Sequence, residues 1–178
     1  MIQNIIRWFF DLLCCYYVYF KLLNLKVIQK KSAILLPFVF LGEAFLFHFI
    51  DTCLPLFTIP VFVLLNAFIL TLVTKIQLPL SLLSFTISLS INFIFLAISG
   101  VFIGLALLPF FYGNYNLPYI LIQTLGGLLE LLLVFLLFKI KRLRRGMPFL
   151  YQIGSSATGF ILSCFILLIV TIIGFYDA

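Results

Sequence analysis

The sequence predicts an all-α integral membrane protein, folded as a six-helix transmembrane bundle in one membrane domain. Three observations carry that expectation. Of 178 residues, 65% are hydrophobic and only 9% are charged, with a mean hydropathy of +1.33. A soluble domain needs roughly a quarter of its residues charged to coat its surface, so most of this chain must meet lipid. The apolar residues also form six long runs, divided by short segments bearing Lys, Arg or Pro. Finally, ten of the eleven Lys and Arg fall in alternate connections.

The first predicted helix covers about residues 5–23, where Arg7 and Asp11 lie four apart and can pair at the membrane boundary. Asp11 interrupts the apolar run and no small-residue cleavage site follows, so a retained helix is expected rather than a signal peptide. The second covers about 32–50 and ends before Asp51 and Pro55. The third covers about 56–74, with Pro60 in its first turns. The fourth is apolar over about 80–108 and is expected to stop at Pro109. At 1.5 Å per residue it is about 43 Å long against roughly 30 Å of hydrocarbon, so it must tilt or project. The fifth covers about 119–140 and the sixth about 152–175. Between them Gly146 can take the left-handed conformation of a helix cap, and Pro148 blocks direct continuation.

Short loops rich in Lys and Arg stay in the cytoplasm. With six spans, the connections after the first, third and fifth helices are therefore cytoplasmic, and both termini are extracellular. Lys139, Lys141, Arg142, Arg144 and Arg145 make up the densest cluster. They are expected to fix the topology and to lie on anionic lipid, gaining about 1 kcal/mol each. The net charge of +6 does not point to nucleic acid, because the cations sit at the ends of apolar runs.

Candidate binding residues are polar positions inside the apolar runs. Ser81, Ser84, Ser88, Asn92 and Ser99 form one stripe on the fourth helix, which serves either as a helix seam or as the wall of a ligand cavity. Gly100 and Gly104 have the spacing of a close helix approach. Gln123, Gly127 and Glu130 share a face of the fifth helix. A carboxylate at that depth costs about 3 kcal/mol unless paired or protonated, so Glu130 is a functional candidate or hydrogen-bonds the fourth helix. Tyr112 and Tyr115 lie in an aromatic, polar loop suited to the headgroup boundary. Glu130, Gln123, Asn92, Ser88, Tyr112 and Tyr115 are the candidate ligand-binding set. Ser155, Gly159 and Ser163 suggest a further packing face. His48, Asp51 and Cys53 invite a thiol-peptidase reading. The four cysteines lack metal-site spacing, and neither a metal nor a cofactor is expected.

Several segments together are distinctive: Lys21-Leu22-Leu23-Asn24-Leu25-Lys26, Thr74-Lys75 before the Ser-rich helix, the stretch from Phe138 to Phe149, and Ile153-Gly154. The series resembles the N-terminal membrane sensor region of Gram-positive GHKL-type sensor histidine kinases similar to the accessory-gene-regulator peptide-pheromone receptors. The resemblance covers nearly the whole chain. It implies a bacterial cell-membrane receptor region that reads an extracellular peptide or small hydrophobic signal, does no catalysis itself, and forms a homodimer when joined to a kinase. The outer connections around residues 51–55 and 110–119 would take part in binding. No phosphoacceptor-histidine segment or ATP-binding domain lies within these 178 residues, and kinase activity would belong to a further C-terminal part. Two other classes stay open: a six-helix substrate-binding subunit of a membrane transporter, and a membrane cysteine peptidase of pheromone maturation. The latter works from the cytoplasmic side, whereas His48 and Cys53 map outside.

Overall fold

A computed structural model gives the fold and describes residues 2–25, 30–112, 119–140, 143, 145–154 and 156–176. Among them lie seven helices and no strand: α1 (Ile2–Leu22), α2 (Lys30–Cys53), α3 (Pro55–Thr74), α4 (Leu78–Tyr112), α5 (Tyr119–Leu137), α6 (Phe149–Gly154) and α7 (Ala157–Tyr176). Three stretches are long and apolar enough to cross a membrane: Phe57–Thr74, Leu78–Leu107 and Ile120–Leu137. A shorter apolar stretch, Ala157–Ile169, lies in α7. The chain is read as a membrane protein.

Its polarity is arranged for lipid. Phe57, Leu64, Phe68 and Leu72 leave one exposed stripe on α3, and Leu121, Leu125, Leu128, Leu132 and Leu136 leave another on α5. Ile161, Phe165, Leu168 and Ile172 do the same on α7. Buried in exchange are Asp11, Glu43, Asn66, Ser81, Ser84, Ser88, Asn92 and Glu130. Water would favour the reverse. In hydrocarbon, apolar side chains outside are at no disadvantage, while polar groups gain by turning inward to find partners.

α1 and α4 form the centre: α1 packs on α2, α4 and α5, and α4 also meets α3, α6 and α7. Aromatic rings fill the space between α1, α2, α3 and α4. Trp8 lies 5.3 Å from Phe62, Phe47 4.7 Å from Phe62, and Tyr16 4.7 Å from Phe40.

Most of the buried hydroxyls are satisfied within their own helix. Ser88 donates to the Ser84 carbonyl at 2.7 Å, Thr86 to Leu82 at 2.9 Å, and Ser99 to Leu96 at 2.9 Å. This back-bonding to the preceding turn lets a serine stripe pack as a seam without a partner across it. Tyr19 and Ser81 do reach across, 2.9 Å apart, joining α1 to the start of α4.

Four sequence expectations are corrected. α4 has 35 residues and continues helically past position 109. A proline so near a helix C-terminus removes only one ladder bond, to the carbonyl of the preceding turn, and does not stop the helix. The sixth predicted helix is two: the chain breaks at Ser156, whose hydroxyl donates to the Ile153 carbonyl at 2.6 Å and accepts the Gly159 N–H at 3.4 Å, capping α7. Gly100 and Gly104 have open space around them, and no helix approaches there among the described residues. α5 also ends at Leu137, three residues early, with Lys139 and Ile140 in turns. In the predicted packing face on α7, Gly159 and Ser163 are buried, and Ser155 lies outside the described residues.

One end of the molecule gathers the basic residues. α1 closes with Asn24 in the left-handed region (φ 51°) and the Leu25 N–H on the Phe20 carbonyl at 2.9 Å, a Schellman-type cap. Its last carbonyls then accept from a distant segment: Met147 N–H donates to Leu22 O at 2.7 Å and Tyr151 OH to Leu23 O at 3.0 Å. Gly146 makes that approach, with φ +73° and a notional Cβ only 2.8 Å from Leu22 O. Gly146→Ala combines left-handed strain with that clash and is expected to cost about 2 kcal/mol. Unfolding midpoints by SDS titration in bicelles would read it, with an unchanged midpoint arguing against the contact. Lys21, Lys75 and Arg145 lie at this end, and Lys139 lies exposed beside it, 5.2 Å over the Phe135 ring.

Candidate functional site

The polar groups within the bundle meet where the N-terminal half of α1 and the middle of α5 cross the middle of α4. Asp11 is the junction. Asn92 Nδ2 donates to Asp11 Oδ1 at 3.0 Å, so α1 and α4 are joined by a charge-assisted hydrogen bond. Arg7 Nε lies 3.9 Å from Asp11 Oδ2, the i,i+4 pair expected from the sequence, with the arginine side chain half exposed.

Glu130 enters from α5 and is 1% exposed. Its electrostatic neighbours are the buried Cys14 thiol and Asp11, both of α1, and no hydrogen bond to α4 occurs among the described residues. Glu130 Oε1 is fully buried and accepts no hydrogen bond among the described residues, and the same is true of Asn92 Oδ1. Two carboxylates thus face one loosely held guanidinium.

These residues surround a cleft with about 240 Å³ of empty space, counting its open mouth. It is lined by Arg7, Phe10 and Asp11 of α1, Leu96 of α4, and Gln123, Gly126, Gly127 and Glu130 of α5. Gly127 is needed for its shape: a Cβ there would fall 2.3 Å from the Phe10 ring. Glycine lets α5 come down onto Phe10, holding the ring at the cleft wall.

Of the candidate binding residues, Glu130 and Gln123 line the cleft and Asn92 sits behind Asp11. Ser88 does not line it; its hydroxyl is spent on Ser84. The Tyr112 side chain and Tyr115 lie outside the described residues, as do Lys141, Arg142 and Arg144. Of the remaining basic positions, Lys139 and Arg145 are exposed. Phe10 and the inward role of Asp11 were not expected. The pairing with Asn92 spans 81 positions, and only the repeat of Asp11, Cys14 and Cys15 along one face hinted that Asp11 turns inward.

A second buried acid, Glu43 of α2, has both carboxylate oxygens without a hydrogen bond, and the nearby Tyr16 hydroxyl likewise. Cys53 is exposed at the end of α2, His48 is half-buried, and no hydrogen bond between them occurs among the described residues. No group of three or more His, Cys, Asp or Glu side chains suited to a metal ion occurs among the described residues. Comparison with protein-family models, with curated proteins and with solved structures found no match for this chain.

Proposed function

We propose that the chain is the membrane-embedded sensing region of a sensor-histidine-kinase type receptor, crossing the membrane six times with its basic end in the cytoplasm. Both termini are then extracellular. The observation that carries this reading is the position of the cleft. Asp11 stands about 16 Å along α1 from the basic end, taken at 1.5 Å per residue. α5 likewise carries Gln123 and Glu130 before its basic exit. Because short Lys- and Arg-rich connections stay inside, the two acids sit near the membrane midplane, and Arg7, Leu96 and Gln123 extend the cleft outward, toward an extracellular peptide or small hydrophobic signal. The sequence resemblance to the sensor region of GHKL-type kinases supports the same reading. The chain binds and relays; catalysis belongs to a cytoplasmic kinase part that would pair two copies and, with the C-terminus outside, would need a seventh crossing to reach the cytoplasm. Lys139 and Arg145, with the neighbouring cations, rest on anionic lipid.

Thiol labelling tests the orientation. A membrane-impermeant maleimide is expected to label Cys53 in intact cells. In a Cys53→Ser, Gln77→Cys variant, labelling should need permeabilised cells, since Gln77 is exposed at the opposite end. Cys53 reacting only after permeabilisation would reverse the topology and favour the peptidase. A transporter subunit is the second reading, drawing on the same buried acids. Purified protein that retained a small vitamin through chromatography would favour it.

A further inference from the structure

We propose that the cleft between α1, α4 and α5 binds a protonated primary amine, received by Glu130 and Asp11 and displacing the Arg7 guanidinium. The proposal rests on the reading of this cleft as the ligand site and names the chemistry of its ligand.

The acceptors outnumber the donors. Among the described residues, Glu130 Oε1 lines the cleft, is buried and accepts no hydrogen bond, and Asn92 Oδ1, next to Asp11, accepts none either. Asp11 Oδ2 is held only at 3.9 Å by Arg7. An ammonium group presents three N–H donors and no acceptor, which suits a site offering carboxylate and amide oxygens. Its charge would also let both acids ionise together, because Arg7 can neutralise only one. Phe10 adds a ring face at the wall, favourable to a cation in a desolvated place. Half exposed and poorly aligned, Arg7 behaves as a tethered counter-ion that can swing outward when a better-seated cation arrives. A carboxylate-bearing ligand would meet Asp11 and Glu130 and be repelled. The small empty space fits an amine head group, with any apolar tail passing out toward lipid.

The full chain in lipid nanodiscs carries a single tryptophan, Trp8, beside Arg7. Its emission can follow titration with hexylammonium, hexanol and hexanoate. Saturable binding of hexylammonium alone is expected. It should weaken about tenfold or more in Glu130→Gln, which keeps the shape but removes the buried charge. In Arg7→Gln, where the competing cation is gone, it should tighten. Equal responses to hexylammonium and hexanol, or equal affinity in wild type and Glu130→Gln, would overturn the proposal. So would weaker binding in Arg7→Gln, or sodium binding in place of the amine. A short hydrophobic peptide with a free N-terminus, set against its N-acetyl form, separates a peptide amine from a small free amine. If no amine binds while Cys53 is still labelled from outside, the amine site fails and the receptor reading stands.

Discussion

Gly159→Ala is expected to be the most damaging glycine-to-alanine change among the described residues. A Cβ at position 159 falls 2.3 Å from the Ile153 carbonyl oxygen and 2.7 Å from Gly154 Cα. Both are backbone atoms, so no side-chain rotation relieves the overlap. Nor can α6 retreat, because Gly154 is itself seated on Leu80, whose Cα would lie 3.0 Å from a Cβ there. The displacement passes on to α4. Overpacking of this kind typically costs 1–3 kcal/mol, and the backbone contacts place this case near about 3 kcal/mol. SDS-titration unfolding in bicelles gives the readout. Gly100→Ala and Gly104→Ala are the controls: among the described residues, nothing stands within 4 Å of a Cβ at either position. Helix propensity alone then favours alanine, by up to about 1 kcal/mol. If Gly159→Ala unfolded at the same SDS fraction as those controls, the tight α6–α7 junction would not exist in the membrane.

Asn92→Leu is expected to cost about 2 kcal/mol, the range for a charged group left without its buried partner. The substitution keeps the branched four-atom side chain but removes the donor to Asp11 Oδ1. Interhelical hydrogen bonds in membranes are often weaker than this because the unfolded helices find other partners. A carboxylate buried between α1, α4 and α5 has few alternatives. Ser88→Ala, one turn earlier on the same face, should be nearly silent, since Ser88 bonds its own helix. The Asp11→Leu, Asn92→Leu double variant should recover much of the loss, as replacing both partners by apolar groups removes the unpaired charge. No recovery in that cycle would mean that Asp11 is stabilised through Arg7 instead.

Much of this architecture was legible in the residues. The alternation of apolar runs, the burial of the polar stripe on α4 and the left-handed Gly146 each follow from a local pattern: hydropathy, helical spacing, or a glycine before a proline. What escaped was decided by geometry that local patterns do not encode. Pro109 reads as a stop, yet a proline in a closing turn removes just one ladder bond. Ser156 reads as one more small residue on a helix face, and becomes a cap only because Gly159 can be packed against Ile153. The candidate site divided the same way. Glu130 and Gln123 could be found because polar residues are costly in an apolar run. Asp11 was hidden by a satisfactory local partner: with Arg7 one turn away, nothing in the sequence demanded Asn92. Phe10 was hidden among 23 phenylalanines, and only the glycine facing it sets it apart.

The closure of α1 by residues 147 and 151 carries a consequence for biogenesis. Tyr151 and Leu23 stand 128 positions apart. At roughly 5–20 residues per second, α1 waits on the order of ten seconds after its own synthesis before the groups that cover its last carbonyls leave the ribosome. Until then those carbonyls must be served by water or headgroups at the membrane surface. α1 can enter the bilayer early, but its final depth and rotation are fixed only when the segment after the basic cluster arrives. Assembly of this protein therefore finishes with a latch, and a nascent chain stopped before position 147 should hold α1 inserted but unlocked.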